Sequence, residues 1–276
     1  PFGASFGHIC ANVIDSGVVF RVGDKVLLNC NDNKPSPDLC HYLKDKYEKI
    51  DLALIPGGGG GGYPAMYENL TQAQKQDISR KNVENYANVF SNAVDILKPR
   101  VTIPVAGGYA IRGPKAETAN WLQNRSLNHD ELINFHRANG SYKEANIILV
   151  QPGLELDVAQ GKVVRGHYRA WSKSELLEFF KELSLVKIEP KLKTEGPVPS
   201  LKKLLTDART NLWNRQQKLE MIPNYSIYLE LSDYNKCFEL KLNENSLVEK
   251  NIEDKKNEPY LRMKLDQDTM MEWLLG

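Results

Sequence analysis

The feature that most constrains the fold is a long amphipathic helix between two short, apolar strands. A capping-box sequence begins the helix at Thr71, apolar residues recur at helical spacing as far as Leu97, and a Lys-Pro pair follows. Buried strands are expected at residues 51–56 before the helix and 100–105 after it. Because a helix with one apolar face must pack on another layer, this alternation predicts a layered α/β fold.

The segments on both sides continue the alternation. Upstream, residues 18–22 and 25–30 are β-rich runs separated by a Gly-Asp pair, which predicts a hairpin. A short helix with apolar residues spaced from Leu39 to Tyr47 should follow. Downstream, capping-box sequences at Asn128 and Ser172 predict two more helices, one ended by a glycine.

A strand is expected at residues 146–151, between the two capped helices. The layered domain then covers residues 1–189, and residues 190–199 have the alternating lysines and prolines of a linker.

Residues 200–276 predict a smaller α+β domain. It should contain a helix with Leu201, Leu204, Leu205, Ala208 and Leu212 on its buried face, a hairpin joining residues 225–231 to 236–242, a strand at 260–265 and a terminal helix. The charged residues 249–258 are expected to form a solvated loop.

Composition excludes several classes of function. The formal net charge is +1, and we find no dense basic tract with interleaved aromatic residues, so no nucleic-acid partner is expected. Apolar runs are too short for a membrane span and the amino terminus lacks the layout of a signal peptide, so no membrane association is expected. The four cysteines are widely spaced, which favours reduced thiols and a cytoplasmic location.

Three features have the chemistry of a binding site. Asp32 follows a predicted strand, where a carboxylate can reach a metal or substrate, although Asn31-Asp32-Asn33 also has the composition of a simple turn. His8 is a candidate metal ligand or a structural histidine. The glycines at 57–62 also follow a strand, and they form either an anion cradle or a mobile loop.

The order of these segments resembles the second half of a metallo-β-lactamase fold, in which Asp32 is similar to the bridging aspartate and His8 to the histidine before the hairpin. The closer resemblance is to the CMP-N-acetylneuraminate hydroxylase family. It rests on four segments: the glycine-rich stretch 57–64, the helix at 73–97, the Pro-Val-Ala-Gly-Gly-Tyr turn at 104–109 and the Gln-Pro-Gly segment at 151–157. The last 80 or so residues look like a sterol-carrier-protein-like domain.

The resemblance implies a partial αββα metallo-β-lactamase-like sandwich followed by the small α+β domain. The chain lacks a His-x-His-x-Asp-His motif, which in this fold supplies most of the metal ligands. It also lacks the histidine that the more common metallo-β-lactamase pattern has near Ala106; this absence agrees with the hydroxylase branch and removes one expected ligand. It also lacks the Cys-x-His and Cys-x-x-His pairs of a Rieske cluster. We therefore expect an N-terminal half, a partner chain or a homo-oligomer to complete the site, and any Rieske cluster to lie on that missing segment or partner.

The implied function is that of a metal-dependent enzyme, in which zinc or iron bound by His8 and Asp32 activates water or oxygen. Tyr63, Tyr67, Tyr109 and Arg112 lie on loops expected to flank the pocket and bind substrate. The resemblance favours hydroxylation of a small polar metabolite similar to a nucleotide sugar. Hydrolysis of an ester, amide or phosphoester is an open alternative, as is a non-catalytic binding or assembly subunit.

Overall fold

The computed structural model describes residues 2–3, 16–59, 62–106, 110–124, 129–186, 200–231, 233, 236–251 and 260–275. The chain divides into two compact units, Pro1–Lys187 (unit 1) and Ile188–Gly276 (unit 2). Both units combine helices with β-sheet, so the chain is of the mixed α/β class that the alternation of elements predicts.

The main sheet of unit 1 contains strands that lie side by side in chain order. They are β1 Phe2–Gly3, β2 Ser16–Val22, β3 Lys25–Asn29, β4 Leu52–Pro56 and β5 Val101–Val105. β1, β2 and β3 pair antiparallel, whereas β3, β4 and β5 pair parallel. The predicted β2–β3 hairpin is confirmed, and its turn uses Gly23 at a φ of 61°, a conformation that favours glycine.

The helices of unit 1 connect or follow these strands. They are α1 Pro37–Lys46, α2 Gln72–Leu97, α3 Ala116–Asn124, α4 His129–Asn139 and α5 Lys173–Leu185. The capping box of α2 is confirmed: Thr71 Oγ1 accepts a hydrogen bond from Gln74 N at 3.3 Å, and Gln74 Oε1 accepts one from Thr71 N at 2.8 Å. Ser172 caps α5 in the same way, whereas Asn128 lies outside the described residues.

Successive residues of the parallel strands face opposite layers. Ala53 and Ile55 of β4 belong to the larger core, which includes Phe90 of α2 and buried residues of α1. Leu52, on the other face of β4, belongs to a second cluster that includes the partly buried Leu156. The sheet of unit 1 is therefore apolar on both faces of its parallel part, as parallel sheets usually are.

The prediction of a strand at residues 146–151 is wrong for most of that segment. Only Ile147 forms a bridge, parallel to Thr102 of β5. A short apolar run does not by itself distinguish a strand from buried irregular chain, which explains the error. The structure instead has a short hairpin further on, β6 Glu155–Asp157 and β7 Lys162–Arg165, that the sequence pattern did not predict.

In its described residues, unit 2 has a four-stranded sheet and two helices. Its elements are α6 Leu201–Lys218, β8 Ser226–Leu231, β9 Lys236–Lys241, β10 Ser246–Asn251, β11 Tyr260–Leu265 and α7 Gln267–Leu275. The strand order is β10-β9-β8-β11, and β11 runs parallel to β8. The prediction of a loop at residues 249–258 is wrong at its start, because residues 249–251 form the end of β10. Residues 252–259 lie outside the described part of the chain.

One face of this sheet forms the core of unit 2 with the two helices. Leu205 of α6 and Met270 of α7 belong to the same buried cluster as Leu229 and Phe238 of the central strands. The expected buried face of α6 needs one correction, because Leu212 is exposed. The helix instead buries Arg209, which the spacing of its leucine and alanine residues does not predict.

Within the described residues, no helix has both the length and the apolar character needed to cross a lipid bilayer.

Candidate functional site

The candidate site lies at the edge of unit 1 where the three parallel strands end. Because β3, β4 and β5 run in one direction, the segments that follow them begin at the same edge of the sheet. The pairing continues beyond the strands: Cys30 N donates to Leu54 O at 3.0 Å, and Gly57 N donates to Val105 O at 2.7 Å. These hydrogen bonds hold the starts of the loops after β3 and β4 in register.

Asp32 lies at this edge in a tight turn and its side chain is exposed. Asn31 has a φ of 50°, and Asn33 N donates to Cys30 O at 2.9 Å, so the chain reverses there. Asn31 N also donates to Asn29 Oδ1 at 2.9 Å. The turn thus accounts for the Asn-Asp-Asn composition, and it leaves the carboxylate of Asp32 accessible from solvent.

The next two residues place unusual donors beside Asp32. Asn33 is 4% exposed, and its buried Nδ2 atom has no hydrogen-bond partner among the residues that the structure describes. Lys34 is exposed, and its Nζ atom lies 3.6 Å from the centroid of the Tyr86 ring, a close cation–π contact. Tyr86 belongs to α2, so this helix holds the loop after β3 in place.

The glycine-rich loop packs against the same tyrosine. Gly57 and Gly58 are buried, and a Cβ at Gly59 would lie 1.8 Å from Tyr86 Oη. Any larger residue at position 59 would therefore force the tyrosine or the loop to move. The part of the loop that the structure describes is fixed by this contact, whereas Gly60 and Gly61 lie outside it.

Tyr63 and Tyr67 form an aromatic pair after the glycines. Their ring centroids are 4.9 Å apart with an interplanar angle of 88°, an edge-to-face arrangement. Both rings are partly open to solvent, at 49% exposure for Tyr63 and 37% for Tyr67. The turn between them is held by Tyr67 N donating to Pro64 O at 3.1 Å, and Lys75 of α2 donates to Ala65 O at 3.0 Å.

Arg112 is also exposed, on the segment between β5 and α3. Asn120 fixes that segment through two hydrogen bonds with Ile111, accepting from its N at 2.7 Å and donating to its O at 2.8 Å. Gly113 N donates to Leu183 O of α5 at 3.1 Å. The backbone next to Arg112 is therefore anchored to α3 and α5, while Tyr109 lies outside the described residues.

The described residues alone do not form a metal centre. Asp32 offers one carboxylate, His8 lies outside the described part, and no group of three or more His, Cys, Asp or Glu side chains within that part could hold a metal ion. Burial raises the pKa of the Cys30 and Cys40 thiols to about 12, so both stay protonated and are poor ligands. Any metal bound here needs ligands from elsewhere as well.

No contact in the described part of the chain places another histidine of unit 1 at this sheet edge. His41 and His167 are exposed. His136 is fully buried: its Nε2 lies 2.9 Å from Tyr142 O and its Nδ1 lies 2.8 Å from Ser91 Oγ. Since a carbonyl only accepts, Nε2 carries a proton toward Tyr142, which indicates a structural role for this side chain.

Sequence reasoning missed Asn33, Lys34 and Tyr86. Asn33 has the composition of a turn residue, and Tyr86 falls within the predicted long helix, so neither is marked as a site residue by local pattern. Tyr86 precedes Ala87, which is on the buried face of α2. The local sequence does not indicate that the Tyr86 side chain contacts the loops after β3 and β4. These contacts join segments more than 25 residues apart and appear only in the folded chain.

Comparisons with known proteins identify no relative of this chain. No protein-family model matches the chain, no curated protein matches it, and no solved structure matches it.

Proposed function

We propose that the edge formed by the ends of β3, β4 and β5 is the substrate pocket of a metal-dependent enzyme with a metallo-β-lactamase-like fold. The reaction we favour is hydroxylation of a polar metabolite similar to a nucleotide sugar. The observation that carries the proposal is the meeting of an exposed carboxylate turn and a glycine loop at one sheet edge, both fixed by α2. The resemblance described above supports the choice of fold and substrate class.

In this proposal Asp32 and His8 each supply one metal ligand, and residues outside the described part of the chain supply the others. Bound zinc or iron would activate water or oxygen. The exposed position of Asp32 at the tip of a short turn suits a ligand that must reach an ion beyond the sheet edge.

Other residues of this edge would bind the substrate. The Tyr63–Tyr67 pair offers partly exposed ring faces, on which a flat or ring-shaped group can stack. The anchored segment before α3 presents the guanidinium of Arg112, which suits an anionic group. Tyr109 lies between Tyr67 and Arg112 in the sequence, and we assign it the same substrate-binding role.

The experiment is a comparison of metal content in the Asp32→Ala and Asp45→Ala variants. Asp45 is an exposed aspartate on α1 and serves as the matched control. Each chain is first combined with the N-terminal segment or partner chain that completes the site, then incubated with zinc or iron(II) and freed of unbound ions. We expect the parent and the control to retain metal and Asp32→Ala to lose most of it. Equal retention in the two variants would exclude Asp32 as a ligand.

A further inference from the structure

We propose that Asn33, Lys34 and the backbone of Gly58 form a binding site for a phosphate-type oxyanion, organised by Tyr86. The site would hold an anionic group of the substrate in the pocket of the proposed function and rests on that assignment. These residues would bind and position the anionic group and would take no part in the chemical step.

Lys34 is the charged element of this site. Its ammonium group lies against the face of the Tyr86 ring, 3.6 Å from the centroid, and the ring constrains where the flexible side chain can point. An ammonium carries three N–H donors, and a ring face does not satisfy all of them. Among the described residues, no carboxylate forms an ion pair with Lys34, so its charge is open to an external anion.

Two neutral donors lie on the two loops that contact Tyr86. Asn33 Nδ2 is buried and has no acceptor in the described part of the chain, although a buried donor left unpaired is costly. Gly58 is buried, and no acceptor for its N–H lies in the part of the chain that is described. The buried Asn33 amide therefore lacks an acceptor that a ligand oxygen could supply.

The combination of one cation with amide donors selects the ligand class. Amide N–H groups and an ammonium are all donors, so they suit a group with several acceptor oxygens and a negative charge. A phosphate group offers more acceptor oxygens and more charge than a carboxylate, and backbone donors of glycine loops commonly bind phosphates. The neighbouring Asp32 repels an anion in the absence of metal, so binding in metal-free protein should be weaker than in the complete enzyme.

The test measures binding of inorganic phosphate to the metal-free chain by calorimetry, in the presence of a chelator. We expect Lys34→Ala to weaken phosphate binding about tenfold, the usual effect of losing one charge-assisted contact. Lys44→Ala, an exposed lysine of α1, is the matched control and should bind as the parent does. Asn33→Ala should weaken binding severalfold, with near-UV circular dichroism confirming that the variant keeps its fold.

The proposal is overturned if the parent chain does not bind phosphate, or if Lys34→Ala and Lys44→Ala bind it equally. Acetate is the second probe, and equal affinity for acetate would overturn the assignment to a phosphate-type group. Because no metal is present, these results are independent of whether Asp32 binds an ion. Loss of metal in Asp32→Ala with no phosphate site would leave the proposed function standing and remove this inference alone.

Discussion

Glu239 of unit 2 and Asn33 of unit 1 are buried polar side chains with different surroundings. In unit 2, Glu239 lies within the sheet and accepts hydrogen bonds from Ser226 Oγ at 3.1 Å and Tyr228 Oη at 2.9 Å, beside an ion pair with Lys250. In unit 1, Asn33 lies where a strand has ended and leaves a buried donor unpaired. A polar group bound by its own protein stabilises a fold, whereas an unpaired one is available to a ligand.

Arg209 is a second buried polar side chain of unit 2. The residue is 2% exposed, and its guanidinium donates to Gln216 Oε1 at 3.1 Å and to Lys241 O at 2.7 Å. Its Cζ atom lies 5.4 Å from the centroid of the Trp213 ring, a cation–π contact. Burial lowers the pKa of this guanidinium, but an arginine stays charged at any ordinary pH. The side chain ties α6 to the end of β9.

The largest expected effect is that of Arg209→Ala. It removes the donor of several buried acceptors and leaves a cavity, so we expect a loss of about 4 kcal/mol in the free energy of unfolding of unit 2. Hydrogen exchange of the β8 and β9 amides measures the loss within that unit. Arg215→Ala, an exposed arginine on the same helix, should leave the exchange unchanged; equal effects would show that the Arg209 network contributes little.

Glu239→Gln should have an intermediate effect that depends on pH. Burial raises the pKa of the Glu239 carboxyl, but the Lys250 ammonium and the Tyr228 and Ser226 hydroxyls lower it more, so its pKa lies below the usual 4.5. The folded pKa is therefore below the unfolded one, and the ionised carboxylate stabilises unit 2 above pH 4.5. This contribution is lost as the pH falls through the folded pKa.

At neutral pH we expect Glu239→Gln to cost about 2 kcal/mol, because Lys250 loses its buried partner. The difference from the parent should shrink in acid, and hydrogen exchange at pH 7 and pH 4 measures it. Glu249→Gln on β10 is the control, since Glu249 pairs with exposed lysines. A difference that stays constant between the two pH values would contradict the assigned role of the charge.

Asn33→Leu should have the smallest effect, a change below about 1 kcal/mol in the free energy of unfolding of unit 1. The substitution removes a buried donor that has no partner, and this offsets the lost contacts of the amide. Asn33→Asp should cost more, because it buries a charge. Urea unfolding of both variants tests the comparison, and a large loss for Asn33→Leu would show that the amide is needed for folding rather than for a ligand.

Sequence patterns predicted the elements of both units better than their polar contacts. The β2–β3 hairpin and the capped helix α2 were predictable because turn residues, caps and periodic apolar residues act over a few positions. The segment at 146–151 was not, since an apolar run has the same appearance in a strand and in buried irregular chain.

The candidate site shows the same limit more strongly. Asp32 was recognisable from its place after a strand, and the structure does put it at a sheet edge in an exposed turn. Lys34 and Tyr86 were not recognisable, because their contact depends on how α2 crosses the sheet. Arg209 was missed for a related reason: an arginine within an amphipathic helix is normally assigned to the solvated face, and only tertiary acceptors reveal that it is buried.

The parallel pairing of β8 with β11 has a consequence for synthesis on the ribosome. Tyr260 lies opposite Ser226, so the first strand of unit 2 acquires this neighbour only after more than 30 further residues have been made. Until then, the edge of β8 that β11 will cover is open to pairing with other chains. In unit 1, β4 waits in the same way for β5, since Leu52 pairs with Val101, so both sheets have a strand edge that stays open during synthesis.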